Sequence, residues 1–302
     1  MGLSRGSLQF YMLLQEIKIL FHKELDVIYP TTEVDSFFYR MIEHYLGLER
    51  FILALEPQTV VSKEDEQPLF EGLAKLRLQQ PLQYILGTSY FFDSEFIVNK
   101  NVLIPRPETE ELVQWIIAEI GNWKSEIRIL DIGTGSGCIA ISLAKNVPNA
   151  KVYALDVSEE ALNVAKENAL KNDVTIEFIQ ANILELECLN ENFDVIVSNP
   201  PYVRALEKEM MSSNVKEEEP SLALFVSDEK PLIFYDKITQ LAKQSLNFNG
   251  VLYFEINQYL GNETKQLLED ENFSEIELRK DMFGNNRMLK GKIKVTALKD
   301  LD

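Results

Sequence analysis

From Ile127 to Asn199 the chain alternates two periods. Apolar, β-branched runs ("IRILDIG", "KVYALDV", "TIEFIQA", "FDVIVSN") read as strands, with amphipathic helices from about Ser136 to Asn146 and from about Glu159 to Lys171 between them. Strands separated by helices of this length cannot be joined as hairpins, so the pattern predicts a parallel α/β sheet. It continues with a helix around Leu232 to Leu246, the strand "GVLYFEI", a helix near Glu263 to Glu269 and two final strands near Ile276 and Met288.

The first part of the chain reads differently. From Leu8 to about Leu78 the period is helical: Phe37, Met41 and Tyr45 lie at i, i+4, i+8, with Phe38, Ile42 and Leu46 beside them. Pro30, Gly47, Pro57 and Pro68 stand where joints between helices are expected. Between Pro81 and Arg106 the period shortens. There "YILGTSYFF" and "EFIVNKNVLIP" predict two strands around Asp93-Ser94, a hairpin linking the two parts. A chain of 302 residues suits two domains. The expected division is a helical domain over 1–80, a hairpin linker over 81–107 and an α/β domain over 108–302. The opening apolar run is interrupted by Gln15, Glu16 and Lys18, so it reads as a helix rather than a signal peptide, and Gly6 replaces the Ser or Thr of a myristoylation pattern at Gly2. No run reaches the length of a membrane span.

Charge narrows the partners. Asp and Glu number 48 against 30 Lys and Arg, and a net charge of -18 repels a phosphate backbone. The two cysteines, Cys138 and Cys188, form no C-x-x-C pair, which argues against a metal site or a disulfide framework and suits a reducing cytoplasm.

"LDIGTGSGCIAISLA" sets Gly133, Gly135 and Gly137 in the turn from a strand into a helix, where bare backbone lets a ligand approach the helix N-terminus. Thr134 and Ser136 fill the loop between them. A dinucleotide fingerprint would carry glycine where Cys138 stands, so the spacing favours a ligand without a pyrophosphate. Asp156 ends the next strand, where a carboxylate can accept both hydroxyls of a ribose. Together these features predict a nucleoside site; the bland alternative is a tight turn beside a helix-capping Asp156.

Strand "FDVIVS" runs straight into Asn199-Pro200-Pro201-Tyr202. Parallel strands end on one side, so Asn199 is expected at the same crevice as the glycine loop. Prolines donate no N–H, and the side-chain oxygen of Asn199 with the carbonyl of Pro200 forms an acceptor-rich corner for a planar NH₂ group. Tyr202 offers a flat face for stacking. Such a corner holds an amide or exocyclic amine still, so that orientation rather than a strong base lowers the barrier to methyl transfer.

These residues resemble class I methyltransferases that use S-adenosylmethionine. The whole chain is similar to the release-factor glutamine methyltransferase family, through "PLQYILG", "VLIPRPETE", "DIGTGSG", "VSNPPYV", "EEPSLAL" and "DMFGNNRMLKG". The resemblance implies a Rossmann-like sheet with an antiparallel final strand and an N-terminal helical substrate-docking domain. It implies an enzyme of translation termination that methylates the side-chain amide nitrogen of glutamine in the Gly-Gly-Gln loop of peptide-chain release factors; the enzyme is expected to be cytoplasmic and monomeric, although the sequence does not fix the oligomeric state. Carried onto this chain, the catalytic residues are Asn199, Pro200 and Tyr202, with Pro201 joining them in substrate binding. The cofactor residues are Gly133, Thr134, Gly135, Ser136, Gly137, Asp156, Asn182, Ile183 and Asn199, with no metal. Where the family commonly has Asp and an aromatic after the third strand, this chain has Asn182-Ile183, so adenine keeps a hydrogen-bond acceptor and loses aromatic stacking.

Arg106 is expected to orient the hairpin against the catalytic domain rather than help the substrate loop, His22 and His44 to serve packing or surface, and the run Lys216–Glu219 to form a solvated loop, with a place at the border of the site entrance as the alternative. Two rival functions remain: methylation of an exocyclic amine of adenine or guanine in nucleic acid, which the acidic charge disfavours, and a non-catalytic cofactor-binding adaptor, which would not need Asn199.

Overall fold

The computed structural model describes residues 12–121, 123, 125–210, 215 and 218–293. The expected helical start over residues 8–11, the Gly2 and Gly6 positions, and Lys216 and Glu217 lie outside the described residues. The chain divides into two units after Gly87. Among the described residues no helix is long and apolar enough to cross a membrane.

The first unit comprises β1 (Met12–Leu13), α1 (Leu14–Leu25), α2 (Thr31–Leu46), α3 (Ile52–Leu55), β2 (Val60–Val61), α4 (Lys63–Arg77) and α5 (Leu82–Leu86). Leu14, Ile17, Phe21 and Leu25 of α1, Phe38, Met41 and Ile42 of α2, and Leu69, Leu73 and Leu76 of α4 recur at helical spacing and form one core. Gly72 admits α2 closely, since a Cβ there would overlap Met41 Cε. Gly47 ends α2 in the left-handed conformation (φ 65°) that glycine adopts without strain.

Two expectations fail in this unit. Pro68 lies inside α4 rather than at a joint. The Ser62 side chain caps the helix by accepting from Asp65 N–H at 3.2 Å, and Glu64, Asp65 and Glu66 favour its first turn, so the helix starts before the proline. The unit is also not purely helical, because β1 and β2 pair antiparallel over two residues each.

The second unit opens with a hairpin, β3 (Thr88–Phe91) and β4 (Ser94–Ile97), turned by Phe92 and Asp93, both at positive φ. Strand β3 starts later than "YILGTSYFF" suggests, because Tyr84 to Leu86 belong to α5, which ends at a left-handed Gly87. Although read as a linker, the hairpin packs within the second unit. Phe91 and Phe96 are buried in its core, and the Asn168 side chain binds both the N–H (2.6 Å) and the carbonyl (2.9 Å) of Ile97.

Next come α6 (Pro107–Ile120), β5 (Ile127–Ile132), α7 (Cys138–Asn146), β6 (Ala150–Asp156), α8 (Glu159–Lys171), β7 (Glu177–Gln180) and β8 (Phe193–Ser198). A short parallel pair follows, β9 (Val203–Arg204) with β10 (Phe225–Val226), and then β11 (Leu246–Glu255), β12 (Phe273–Lys280) and β13 (Asn286–Ile293), with helices over Ile233–Ser245 and Gly261–Asp270. The seven-stranded sheet has the order β12-β13-β11-β8-β5-β6-β7, and β13 alone runs antiparallel to its neighbours. Alternate residues feed two cores. Ile129, Val195 and Val197 face one and Leu130, Ile132 and Ile196 the other, as expected of a sheet covered on both sides.

Chain order reverses between β5 and β8, which are adjacent parallel strands followed by connections in opposite directions. That is the switch point at whose carboxyl side open α/β sheets form a ligand crevice.

Candidate active site

Register brings the two principal motifs together. Ile132 of β5 pairs with Ser198 of β8, so Gly133 and Asn199 each lie one residue beyond the last pair. The Ser198 hydroxyl donates to the carbonyl of Ile132 at 2.7 Å, fastening the strand ends. Beyond them the glycine loop is held by Gly133 and Thr134 N–H on the carbonyl of Leu155, at 2.8 and 3.0 Å. Gly133 and Gly135 adopt φ of 75° and 54°, and a Cβ on either would meet nothing within 4 Å. Gly137 (φ 82°) has a different task, since a Cβ there would come within 3.0 Å of Ile141 and 3.2 Å of Ala165. It lets α7 start at Cys138, two residues later than periodicity suggests.

Asp156 closes the loop from the side. Its Oδ2 accepts from Gly135 N–H at 2.9 Å and its Oδ1 from Ser158 N–H at 3.0 Å. The cap of α8 is Ser158, whose hydroxyl accepts from Ala161 N–H at 3.1 Å. Asp156 is therefore a brace for the loop and not the cap, with lone pairs left on both oxygens. Asn182 makes a turn by accepting from Leu184 N–H at 3.1 Å and donating to Glu185 Oε1 at 2.8 Å. The Ile183 side chain is buried beside it.

A cavity of about 350 Å³ opens along these strand ends, within the range of small-molecule sites. Its wall includes Gly133, Gly135, Asp156, Asn182, Ile183, Asn199, Pro200 and Pro201, with Lys100 to Leu103 contributing from a loop and Pro220, Leu222 and Ala223 from the start of a short helix over Ser221–Leu224. Thr134, Ser136, Gly137 and Tyr202 are not in the wall. Thr134 is buried and donates to Asp131 Oδ2 at 2.7 Å. Ser136 is buried beside Cys138.

Tyr202 is anchored by its hydroxyl, which donates to Glu255 Oε1 at 3.0 Å. Glu255, 1% exposed, ends β11 and also accepts from the Thr109 hydroxyl at 2.6 Å. Asn199 Nδ2 donates to that same hydroxyl oxygen at 3.3 Å. Arg287 lies against Tyr202 (Nη1 to hydroxyl, 3.4 Å) and pairs with Asp281 at 3.1 Å. Burial raises the Glu255 carboxyl above its ordinary value, opposed by the Thr109 hydroxyl, Arg287 and Tyr202. Burial and the charge of Glu255 raise the Tyr202 phenol, which stays protonated. Among the described residues no donor reaches Asn199 Oδ1 or the Pro200 carbonyl.

Sequence reading missed Thr109, Glu255 and Arg287. The signal was present in "VLYFEIN", an acid inside an otherwise apolar central strand, because a carboxylate there must have buried partners. A second correction concerns Glu219, read as part of a solvated loop. Its side chain is 1% exposed, pairs with Arg106 at 2.6 Å and accepts from Ile104 N–H at 3.3 Å. His22 lies between Asp26 (2.9 Å) and Asp35 (3.3 Å), and His44 stacks edge-on against Tyr45.

Comparison with known proteins agrees with this fold. The model for the PrmC N-terminal domain matches residues 30–87 and that for a methyltransferase domain matches residues 123–295. A release factor glutamine methyltransferase of Flavobacterium psychrophilum is 54% identical over 282 residues, 92% of this chain and 99% of its own length. The chain belongs to the release factor glutamine methyltransferase family. A further member, from Bacteroides thetaiotaomicron, is 40% identical over 277 residues, 91% of this chain and 99% of that one. The solved 16S rRNA N2 G1207 methyltransferase of T. thermophilus, in complex with AdoMet and guanosine, superposes with a TM-score of 0.50 at 16% identity. It covers 68% of this chain and 50% of that one, a likeness of fold. In family terms, the "NPPY" corner and the glycine loop are the elements this chain sets side by side at the switch point.

Proposed function

We propose that this chain methylates the side-chain amide nitrogen of the Gly-Gly-Gln glutamine in peptide-chain release factors, using S-adenosylmethionine. One observation carries the reading: a corner with two free acceptors, Asn199 Oδ1 and the Pro200 carbonyl, adjoins a glycine loop with open space over its backbone. The donor set fits the cofactor. Gly133 and Gly135 leave room against bare backbone, Asp156 has lone pairs for a ribose, and Asn182 Oδ1 can accept from an adenine amino group while Ile183 covers the ring. When bound, S-adenosylmethionine supplies an electrophilic methyl group.

The chain's own residues do the positioning. An amide nitrogen is a poor nucleophile because its lone pair is delocalised. Two acceptors that take both N–H bonds fix it in the plane where one face meets the methyl, and such orientation can lower the barrier by roughly 7–11 kcal/mol in favourable cases. The two glycines before the glutamine let a loop enter a narrow crevice. In this reading the helical unit docks the release factor and the sheet unit carries the chemistry, in a monomeric cytoplasmic enzyme that engages no nucleic acid directly.

The test is methyl transfer from labelled cofactor to a release factor, to its Gln→Asn form and to DNA, by wild type and Asn199→Ala. The expected result is transfer to the wild-type release factor alone, and a loss of ~100-fold or more in Asn199→Ala with cofactor binding less affected. Transfer to DNA and none to release factor would overturn the assignment.

A further inference from the structure

Asn199 has a shape that does not declare its chemistry. The two ends of a side-chain amide are nearly alike in size, so a half-turn exchanges an acceptor for a donor at the same place. With Nδ2 toward the crevice, the corner would present N–H to the N–H of its substrate. Something must set the orientation.

The buried groups behind Asn199 do so by proton count. Thr109 and Glu255 are 2% and 1% exposed, and the 2.6 Å contact between the Thr109 hydroxyl and Glu255 Oε2 needs a proton. Both oxygens of Glu255 act as acceptors, Oε1 from the Tyr202 hydroxyl and Oε2 from Thr109, as in an ionised carboxylate, so the proton belongs to Thr109. The hydroxyl has only one, and its oxygen is left with lone pairs facing Asn199. Across that 3.3 Å contact only an N–H of Asn199 is complementary.

We propose that Glu255, acting through Thr109, is the positioning residue that turns the acceptor end of Asn199 toward the substrate. The inference rests on the methyl-acceptor reading of Asn199. The same carboxylate fixes the other flank of the corner, because its Oε1 accepts from Tyr202. Arg287 lies against the Tyr202 hydroxyl and offsets the burial of the acid. One buried charge therefore sets both the polarity of Asn199 and the place of the Tyr202 ring.

The experiment compares full-length wild type with Thr109→Ser, Thr109→Val and Glu255→Gln, and repeats Thr109→Val in an Asn199→Ala background. It measures kcat, KM for the release factor, cofactor affinity by calorimetry and folding by circular dichroism. Thr109→Ser keeps the hydroxyl and is expected to retain most of kcat. Thr109→Val keeps the shape and removes the acceptor, and kcat is expected to fall by up to ~100-fold, with KM and cofactor affinity within about 3-fold. In Glu255→Gln one acceptor is left for two hydroxyls; Arg287 donates to the Tyr202 oxygen and so keeps the Tyr202 proton aimed at that acceptor, the new amide nitrogen faces Thr109 and frees its proton to meet Oδ1 of a turned Asn199, and kcat is expected to fall similarly. In the Asn199→Ala background Thr109→Val should change nothing further, because the amide it acts on is gone.

Full kcat in folded Thr109→Val or Glu255→Gln overturns the inference. Equal losses in Thr109→Ser and Thr109→Val, or an undiminished Thr109→Val effect in Asn199→Ala, overturns it as well and reduces Thr109 to packing. If Thr109→Val does not fold, Glu255→Gln and Thr109→Ser decide alone. Failure of the functional reading is separate, since it appears in wild type as no transfer to the release factor.

Discussion

Arg106 and Glu219, 113 residues apart in the chain, meet at 2.6 Å with the acid's side chain 1% exposed and the base's 31%. The pair closes the loop before α6 against the segment that carries Pro220, Leu222 and Ala223, and both segments contribute to the cavity wall. Glu219 also holds Ile104 N–H. A carboxylate this buried cannot turn to water when its partner is lost.

Arg106→Ala should therefore destabilise the protein by about 3 kcal/mol, the lower end of the range for breaking a buried pair, because water reaches the arginine side. Urea denaturation would read this as a lower midpoint at unchanged slope. Cofactor affinity should fall with it, since the wall loses its tie. A midpoint equal to wild type would show that the pair is replaceable by solvent.

Asp156 serves two ends, and Asp156→Ala removes both. Its carboxylate braces Gly135 and Ser158 N–H groups and faces the cavity. Asp156→Ala should weaken S-adenosylmethionine binding by roughly 10- to 100-fold, the effect of losing hydrogen bonds to a charged acceptor. Calorimetry on a variant with a native circular dichroism spectrum would measure it. An unchanged dissociation constant there would leave Asp156 as a backbone brace alone.

What was legible in the sequence and what was not divide along a physical line. The alternation of periods gave β5 to β8 and their crossovers, because β5, β6 and β8 are largely apolar runs, β7 keeps Phe178 and Ile179 at its centre, and each helix is striped. The glycine loop and Asn199 were legible because only special backbone or missing donors explain Gly-x-Gly-x-Gly and Asn-Pro-Pro. Thr109 and Glu255 were not, although they lie behind Asn199, because their meaning comes from contacts 146 residues apart. Glu219 looked solvated for the same reason, since one-dimensional charge runs do not reveal that Arg106 waits across the fold. Pro68 misled because a strong cap at Ser62 outweighs a proline in the second turn.

Asp131 makes the protein sensitive to pH. Complete burial pushes its carboxyl from an ordinary 3.8 to about 7, and Asp156 pushes the same way against the pull of the Thr134 hydroxyl and the Ala140 N–H. Between these values the folded state holds a proton that the unfolded chain has lost, so this group's contribution to stability falls as pH rises from about 4 to about 7 and is level above. The interval corresponds to on the order of 4 kcal/mol at full ionisation. Asp131→Asn has no such proton to lose. Denaturant midpoints of both proteins should shift in favour of the variant across pH 4 to 7, and a difference that does not change with pH would show Asp131 ionised throughout.

The proposed placement of adenine at the Asn182 end of the cavity offers a sharper test, because Asn182 presents a neutral acceptor there. As Asn, its Nδ2 donates to Glu185 Oε1 at 2.8 Å while Oδ1 accepts from Leu184 N–H and keeps a lone pair for a ligand amino group. Asn182→Asp alone exchanges that donor for a second negative charge against Glu185, so the repulsion offsets whatever a charged acceptor adds. Removing the clash with Glu185→Gln restores a donor opposite the new carboxylate. The double variant Asn182→Asp/Glu185→Gln should bind S-adenosylmethionine about 5-fold more tightly than wild type, the difference between a charged and a neutral acceptor of the same bond, on the order of 1 kcal/mol. The single variant Asn182→Asp should bind no better than wild type. Calorimetry of the four members of the cycle decides the point: equal affinities for single and double variants would mean that Glu185 does not govern this contact, and that Ile183 and the apolar wall hold the adenine instead.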